Sequence, residues 1–362
     1  MNNLPSLKDF GALRRKTVSV SEEALVRTRP LLADRPMPVL VEPSVPGMDL
    51  AAWAHSNRRQ VDELLLAHRA LLFRGFGVRT VDEFQGFVEA SSDGERLEYR
   101  DRSSPRHEVG EQVYTSTDYP SDQRIFLHNE GTYWVTWPLK IYFCCLKAPE
   151  RGGETPIADT CRIYQRVDPA VRQRFAERKV LYVRNYNDGF GLRWQNAFQT
   201  DDPAEVDRYC RDKGIETEWK GGDRLRTRQV RDAVAVNPRT GEPAWFNHAT
   251  FFHVSTLDPQ VRESLLAEFP EEDLPYNTYY GDGTPIEAEV LDDLRRLYQE
   301  ETIVFPWQEG DVLMLDNMAV AHARQPYAGE RLVVVGMAEP CSREESDAAA
   351  RGLGLETVGS AR

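Results

Sequence analysis

Between residues 38 and 342 the apolar positions switch between two periods, and each switch marks an element. Residues 48–70 repeat their apolar side chains at helical spacing, ALLFRGF is a short continuous apolar run closed by glycine, and 80–90 return to helical spacing. That order predicts helix, buried strand, helix. Further apolar runs predict strands at 140–147, 232–237, 243–247, 311–316 and 331–338, with NPRTGEP as a hairpin turn. Asp168-Pro169, Asp202-Pro203 and Asp258-Pro259 each set an N-cap acceptor before a proline, which needs no hydrogen-bond partner in a first turn, so each predicts a helix start. Short strands on both sides of a helical insert at about 160–300 suit a double-stranded β-helix. The expected fold class is mainly β with helical inserts (α+β), with a jelly-roll, cupin-like core forming one domain over 38–342. The proline- and charge-rich residues 1–37 read as a surface arm, and 343–362 as a disordered tail.

Charge and cysteine usage narrow the setting. A formal net charge of −13 argues against nucleic acid as a partner, because no global positive field attracts phosphates. The five cysteines form no CxxC pair, which fits a reducing compartment. Cys144 and Cys145 are adjacent in IYFCCL and would face opposite sides of a strand. No stretch reaches the roughly 18 apolar residues that a membrane span needs, and MNNLPSLKDFGALRRK has no apolar signal core, so a cytoplasmic protein without membrane contact is expected.

The candidate chemistry sits in two segments. In FLHNEGTYW, His128 and Glu130 are two apart, and in an extended chain such residues share a face. AVAHARQPYAGERLVVV then supplies His322 and Arg331. Two histidines and one carboxylate are the protein half of a facial metal triad, which leaves three positions on Fe(II) for a co-substrate and dioxygen. A lone His-x-Glu pair is most often a core histidine beside a surface acid. The context shifts that balance: EGDVLMLDNMAVAH reads as a turn at Gly310, a strand at 312–315 and a histidine at its mouth. Arg331 opens the next apolar run, 332–335, and its planar fork suits bidentate recognition of a carboxylate. Between the two segments, ERGGETPIAD turns at Gly152 and Gly153 and offers the Thr155 hydroxyl.

The blocks YRDRSSPR, TSTDYPSDQRIFLHNE, KAPERGGETPIADTCRIYQRVDP, NPRTGEPAWFNHATFFHVSTLDP and FPWQEGDVLMLDNMAVAHARQPYAGER occur here in one order. Together they resemble the taurine dioxygenase (TauD/TfdA) superfamily of Fe(II)/2-oxoglutarate-dependent oxygenases, and within it the SyrP-like and clavaminate-synthase-like branch. The resemblance implies iron at His128, Glu130 and His322, the distal carboxylate of 2-oxoglutarate at Arg331 and Thr155, and dioxygen at the last open position. Glu130 stands where aspartate is the commoner ligand, as in the clavaminate-like members. Sulfonate-degrading relatives carry a second arginine four residues after the co-substrate arginine; Val335 occupies that place and argues against taurine.

Resemblance also bears on the outcome. A retained carboxylate ligand argues for hydroxylation of an unactivated C–H bond over halogenation, with desaturation, epoxidation or cyclisation as alternatives from the same oxidant. A substrate drawn from amino acids in secondary-metabolite biosynthesis is expected. Two other classes compete: a non-oxidative cupin-type metalloenzyme, which has no need of a 2-oxoglutarate arginine, and a silent binding protein that keeps only the fold.

Other residues carry weaker readings. Arg324, two beyond His322, would reach a co-substrate or substrate carboxylate or form an ordinary salt bridge. Arg102, Asn185, Trp194 and Asn247 lie in blocks that resemble pocket-lining segments of the family and are expected to touch substrate, although loop capping and ion pairing are plainer roles. His248 and His253 are five apart, an offset that suits neither one helical face nor one strand face, so supporting roles are expected. From 208 to 231 eight cations face four acids. A solvated face is the plain reading, and docking of an acidic carrier protein bearing a thioester-bound amino acid the sharper one. Oligomeric state and substrate identity have no readable signature in the chain.

Overall fold

The structure is a computed structural model that describes residues 25–93, 108–110, 113–115, 119–186, 191–221, 223–352 and 354. An eight-stranded sheet forms its main wall. At the centre, Thr136–Lys147 pairs antiparallel with both Val312–Asp316 and Leu332–Ser342. The expected strands are present: those at 140–147 and 331–338 extend to Thr136–Lys147 and Leu332–Ser342, while the others shorten to Val234–Val236, Pro243–Trp245 and Val312–Asp316. Cys144 and Cys145 do face opposite sides: Cys145 joins the larger core with Phe143 and Trp137, and Cys144 joins a second core under the N-terminal helices.

Opposite this wall lies a three-stranded sheet of Ile125–His128, Val320–Arg324 and Ile157–Asp159. Val312–Asp316 leads into Val320–Arg324 through a tight turn, so one continuous segment crosses from the main sheet to the small one. Two sheets, antiparallel except where Val39–Pro43 runs parallel to Ala70–Phe73, closed over a shared core make the jelly-roll the strand pattern predicts.

The helical reading of 48–70 divides. Leu50–Ser56 and Arg58–His68 are separate helices, broken at Asn57, whose side-chain amide donates back to the Trp53 carbonyl at 2.8 Å. The three Asp-Pro signals behave as expected: Asp168, Asp202 and Asp258 each accept from a first-turn backbone N–H. Residues 160–300 are more than a helical insert. They carry a four-stranded antiparallel sheet of their own, ordered Glu216–Lys220, Arg224–Arg231, Val180–Tyr186 and Tyr276–Tyr280, besides helices. The hairpin at NPRTGEP pairs Val236 with Pro243.

Both ends depart from the expectation. Within 1–37, Val26–Pro30 adds an edge strand to the main sheet by pairing with Val39–Pro43, while 1–24 lie outside the described residues. Within 343–362, Arg343–Gly352 is helical rather than disordered. Ser346 on that helix exchanges two hydrogen bonds with Val236, and Arg343 reaches Asp232 at 2.9 Å, so the polar composition that suggested a tail serves tertiary contacts. No helix among the described residues is long and apolar enough to cross a membrane.

Candidate active site

His322 lies on the middle strand of the small sheet, paired with His128 on one side and Ile157 on the other. Direct pairing in an antiparallel ladder brings side chains on one face close together, and the two imidazole rings stand 4.4 Å apart, centroid to centroid. Glu130 completes the group. One ligand atom from each of His128, Glu130 and His322 lies within 4.8 Å of the others, and all three residues are buried. The His128 Nδ1 sits 2.8 Å from the Phe126 carbonyl, a bond that fixes the ring and leaves Nε2 as the nitrogen that could hold a metal.

Glu130 does not reach this position by strand periodicity. The strand stops at His128, and Glu130 opens a turn with Gly131 at φ +74°. A Cβ on Gly131 would stand 2.4 Å from the Trp134 ring, so the turn requires glycine for space as well as for its positive φ.

Aromatic rings wall the donor set. Phe251 stacks on His128 at 4.7 Å and 12°, and Phe143, from the main sheet, stands 4.8 Å from the His322 ring. His248 packs edge-on to His128 at 5.6 Å and shares a hydrogen bond with the Asn129 carbonyl at 2.9 Å. Burial, and then the neighbouring His128, hold His248 well below the usual imidazole range, so it stays neutral. His253 accepts from the Ser255 N–H and caps a short helical turn. The supporting roles expected for this pair are what the contacts show.

A cationic corner adjoins the ligands. Arg331 donates through Nε to the Gly153 carbonyl at 2.9 Å, and both Arg324 and Arg331 lie against the Tyr327 ring, at 5.3 and 5.5 Å. Burial first and the Arg324 charge second push the Arg331 guanidinium down to about 10. Two like charges held beside each other in a desolvated corner favour an anion between them. Thr155 is buried there, two residues before the Ile157 that pairs with His322, and its Oγ1 accepts from Trp307 Nε1 at 3.1 Å. Arg324 is otherwise engaged: its Nη atoms donate to the carbonyls of Tyr119, Pro120 and Gln123 at 2.5–2.8 Å, so it anchors the segment leading into the His128 strand.

The remaining expected contacts fall elsewhere. Asn185 donates to the Glu272 and Leu274 carbonyls and accepts from Arg226, so its amide is fully engaged in the insert. Trp194 donates to Asp223 and packs in a separate small core with Tyr186 and Phe198. Asn247 bridges the Ala233 carbonyl and the Ala249 N–H. These three side chains have scaffold partners, the plainer roles expected for them, as buried polar groups must. Arg102 lies outside the described residues.

Much of the basic run is not a free positive surface. Arg226 and Arg231 are buried; Arg226 pairs with Asp273 at 2.6 Å, and Arg231 binds the Tyr133 and Lys213 carbonyls. Lys220 shares Asp273, and Arg228 pairs with Glu218. Sequence reasoning passed over Trp307, Phe251 and Asn317. Asn317 did leave a signal, an amide inside the apolar run DVLMLDNMAVAH.

The paired sheets and the donor set at their edge define a jelly-roll, metal-dependent oxygenase. A model of the family described as "Taurine catabolism dioxygenase TauD, TfdA family" matches residues 33–337, and the chain belongs to that family. It is thus an Fe(II)/2-oxoglutarate-dependent oxygenase, acting with dioxygen. The dapdiamide synthesis protein DdaC of Enterobacter agglomerans is 38% identical, over 89% of this chain and 98% of its own length. A clavaminate synthase-like protein of Arabidopsis thaliana is 30% identical, over 84% and 94%. Among solved structures, PvcB of Pseudomonas aeruginosa superposes with a TM-score of 0.52 at 18% identity, covering 86% of this chain and 91% of that one, a likeness of fold.

Proposed function

We propose that His128, Glu130 and His322 hold the iron, that Arg331 and Thr155 hold the distal carboxylate of 2-oxoglutarate, and that the enzyme hydroxylates an unactivated C–H bond of an amino-acid-derived small molecule in secondary-metabolite biosynthesis. The observation that carries the reading is the convergence of two imidazoles and a carboxylate, with ligand atoms within 4.8 Å of one another.

The donor chemistry fits the group. Two neutral nitrogens and one anionic oxygen are a borderline-hard set suited to Fe(II), and a facial arrangement leaves open positions. When bound, iron with 2-oxoglutarate and dioxygen supplies the oxidising power for C–H cleavage. The chain's own residues do the rest. Arg331 neutralises and orients the co-substrate carboxylate, Thr155 donates its hydroxyl proton to it, and Phe251 with Phe143 shields the imidazoles from bulk water.

The biosynthetic setting is supported by the relative named for dapdiamide synthesis. A sulfonate substrate is disfavoured by Val335, whose place in the main sheet opposite Phe143 offers no cation. The proposed substrate is free in solution, a reading supported by Arg226 being buried against Asp273 and Arg228 being paired with Glu218, which leaves fewer cations of the run to meet an acidic carrier. Incubation with Fe(II), 2-oxoglutarate, ascorbate, air and a panel of amino acids and their amides tests the reading. Succinate and a product heavier by one oxygen are expected. A product lighter by two hydrogens would replace hydroxylation with desaturation, and absence of succinate with every substrate would overturn the proposal.

A further inference from the structure

We infer that Asn317 is a positioning residue for the metal centre: its side-chain amide clamps the Glu130 backbone and so aims the Glu130 carboxylate at the two histidines. This rests on the ligand set proposed above.

The need for such a clamp follows from the strand boundary. His128 and His322 are held by ladder pairing, whereas Glu130 lies past the end of its strand. Buried backbone groups must be satisfied. Asn317 supplies both bonds: Oδ1 accepts from the Glu130 N–H at 2.8 Å, and Nδ2 donates to the Glu130 carbonyl at 2.9 Å. The second Nδ2 proton goes to the Pro138 carbonyl at 2.9 Å, which ties the pair to the start of the main-sheet strand. Asn129 returns a bond to the Asn317 carbonyl at 2.7 Å. The amide thus imitates one rung of a β-ladder. Among side chains of this size only asparagine offers an acceptor and a donor on two separate atoms; aspartate lacks the donor and leucine lacks both.

Its place in the fold makes the clamp specific. Asn317 is completely buried in the turn that joins Val312–Asp316 to Val320–Arg324, the strand that carries His322. One short segment therefore sets both the distal histidine and, through the amide, the carboxylate. Loosening the clamp frees Glu130 while the histidines stay paired.

Anaerobic optical titration of the full chain with Co(II) alone, together with thermal unfolding of the metal-free protein, tests this. Asn317→Ala should weaken Co(II) binding by about 10- to 100-fold, the range typical of residues that orient a metal ligand. Thr160→Val is the control, because the buried Thr160 hydroxyl donates to the Met318 carbonyl at 2.9 Å in the same turn without touching Glu130. It should lower the melting temperature and leave Co(II) affinity unchanged. In a Glu130→Ala background, Asn317→Ala should have no further effect on Co(II) affinity, the non-additivity expected of residues that act as a unit. Should Asn317→Ala not fold, Asn317→Asp, which keeps one acceptor and the volume, takes its place in the same cycle. Parental Co(II) affinity in the Asn317 variant, or an equal loss with Glu130 present and absent, would overturn the positioning role alone. Parental affinity in Glu130→Ala and His322→Ala would overturn the ligand set, and the role with it.

Discussion

The Trp307 indole donates to the Thr155 hydroxyl at 3.1 Å, and both side chains are buried. An oxygen that already accepts an N–H keeps its own proton for an acceptor elsewhere, so the indole turns Thr155 into an oriented donor. Trp307→Phe should raise the KM for 2-oxoglutarate by roughly fivefold, the equivalent of about 1 kcal/mol for a neutral hydrogen bond. Substrate KM should stay at the parental value. Steady-state titration of each reactant at saturation of the other checks the split, and an unchanged co-substrate KM would remove Trp307 from this role.

Arg331 should matter more. Loss of a buried, charge-assisted partner costs about 2–5 kcal/mol, or roughly 30- to 4000-fold in binding. Arg331→Ala is expected to raise the co-substrate KM within that range, and Arg331→Lys to recover only part, because a point charge cannot replace the planar fork. The weak visible charge-transfer absorption of the anaerobic Fe(II)·2-oxoglutarate complex gives a second reading of the same affinity. Parental co-substrate dependence in Arg331→Ala would return the role to Arg324.

Acid should weaken the fold through His253. Burial first, then Arg295 and Arg262, push this imidazole from 6.5 down to about 4. Between those values the unfolded chain binds a proton that the folded chain refuses, so this group's contribution is intact above pH 6.5 and is lost as the pH falls towards 4. Asn is an effective N-cap acceptor, so His253→Asn should keep the bond to Ser255 while removing the titration. Urea midpoints measured from pH 7 to 4 should fall less steeply for this variant than for the parent. Parallel slopes would show that His253 is not protonated in that window.

Two arginines two residues apart should behave oppositely. Arg226 is buried against Asn185, Asp273 and the Glu272 carbonyl, whereas Arg228 meets Glu218 in the open. Removing Arg226 leaves the buried Asn185 oxygen without its donor, a loss of about 1–3 kcal/mol. An exposed pair contributes roughly 0–1 kcal/mol. Arg226→Ala should therefore shift the denaturant midpoint strongly and Arg228→Ala barely, and equal shifts would contradict the burial that separates them.

What the chain determines by itself is whatever depends on neighbours in sequence. Asp168, Asp202 and Asp258 cap helices because their side chains bond N–H groups two or three residues on. The apolar runs around Phe143, Met314 and Val334 form strands because a face buried on both sides must be apolar along its length. His128 and His322, with Arg331, stand out as candidates for the same reason, since each sits at the edge of such a run. Tertiary structure decided the rest. Glu130 was expected to share a strand face with His128, yet the strand ends first, and its place depends on Asn317, 187 residues away. Arg226 and Arg231 looked like solvated charge and are buried, because partners from distant segments stand over them. Asn185, Trp194 and Asn247 read as pocket residues and bind the scaffold. Residue type shows what a polar group is able to bind, but only long-range packing settles which partner it meets, since a buried amide or guanidinium bonds to whatever the fold brings within 3 Å or so.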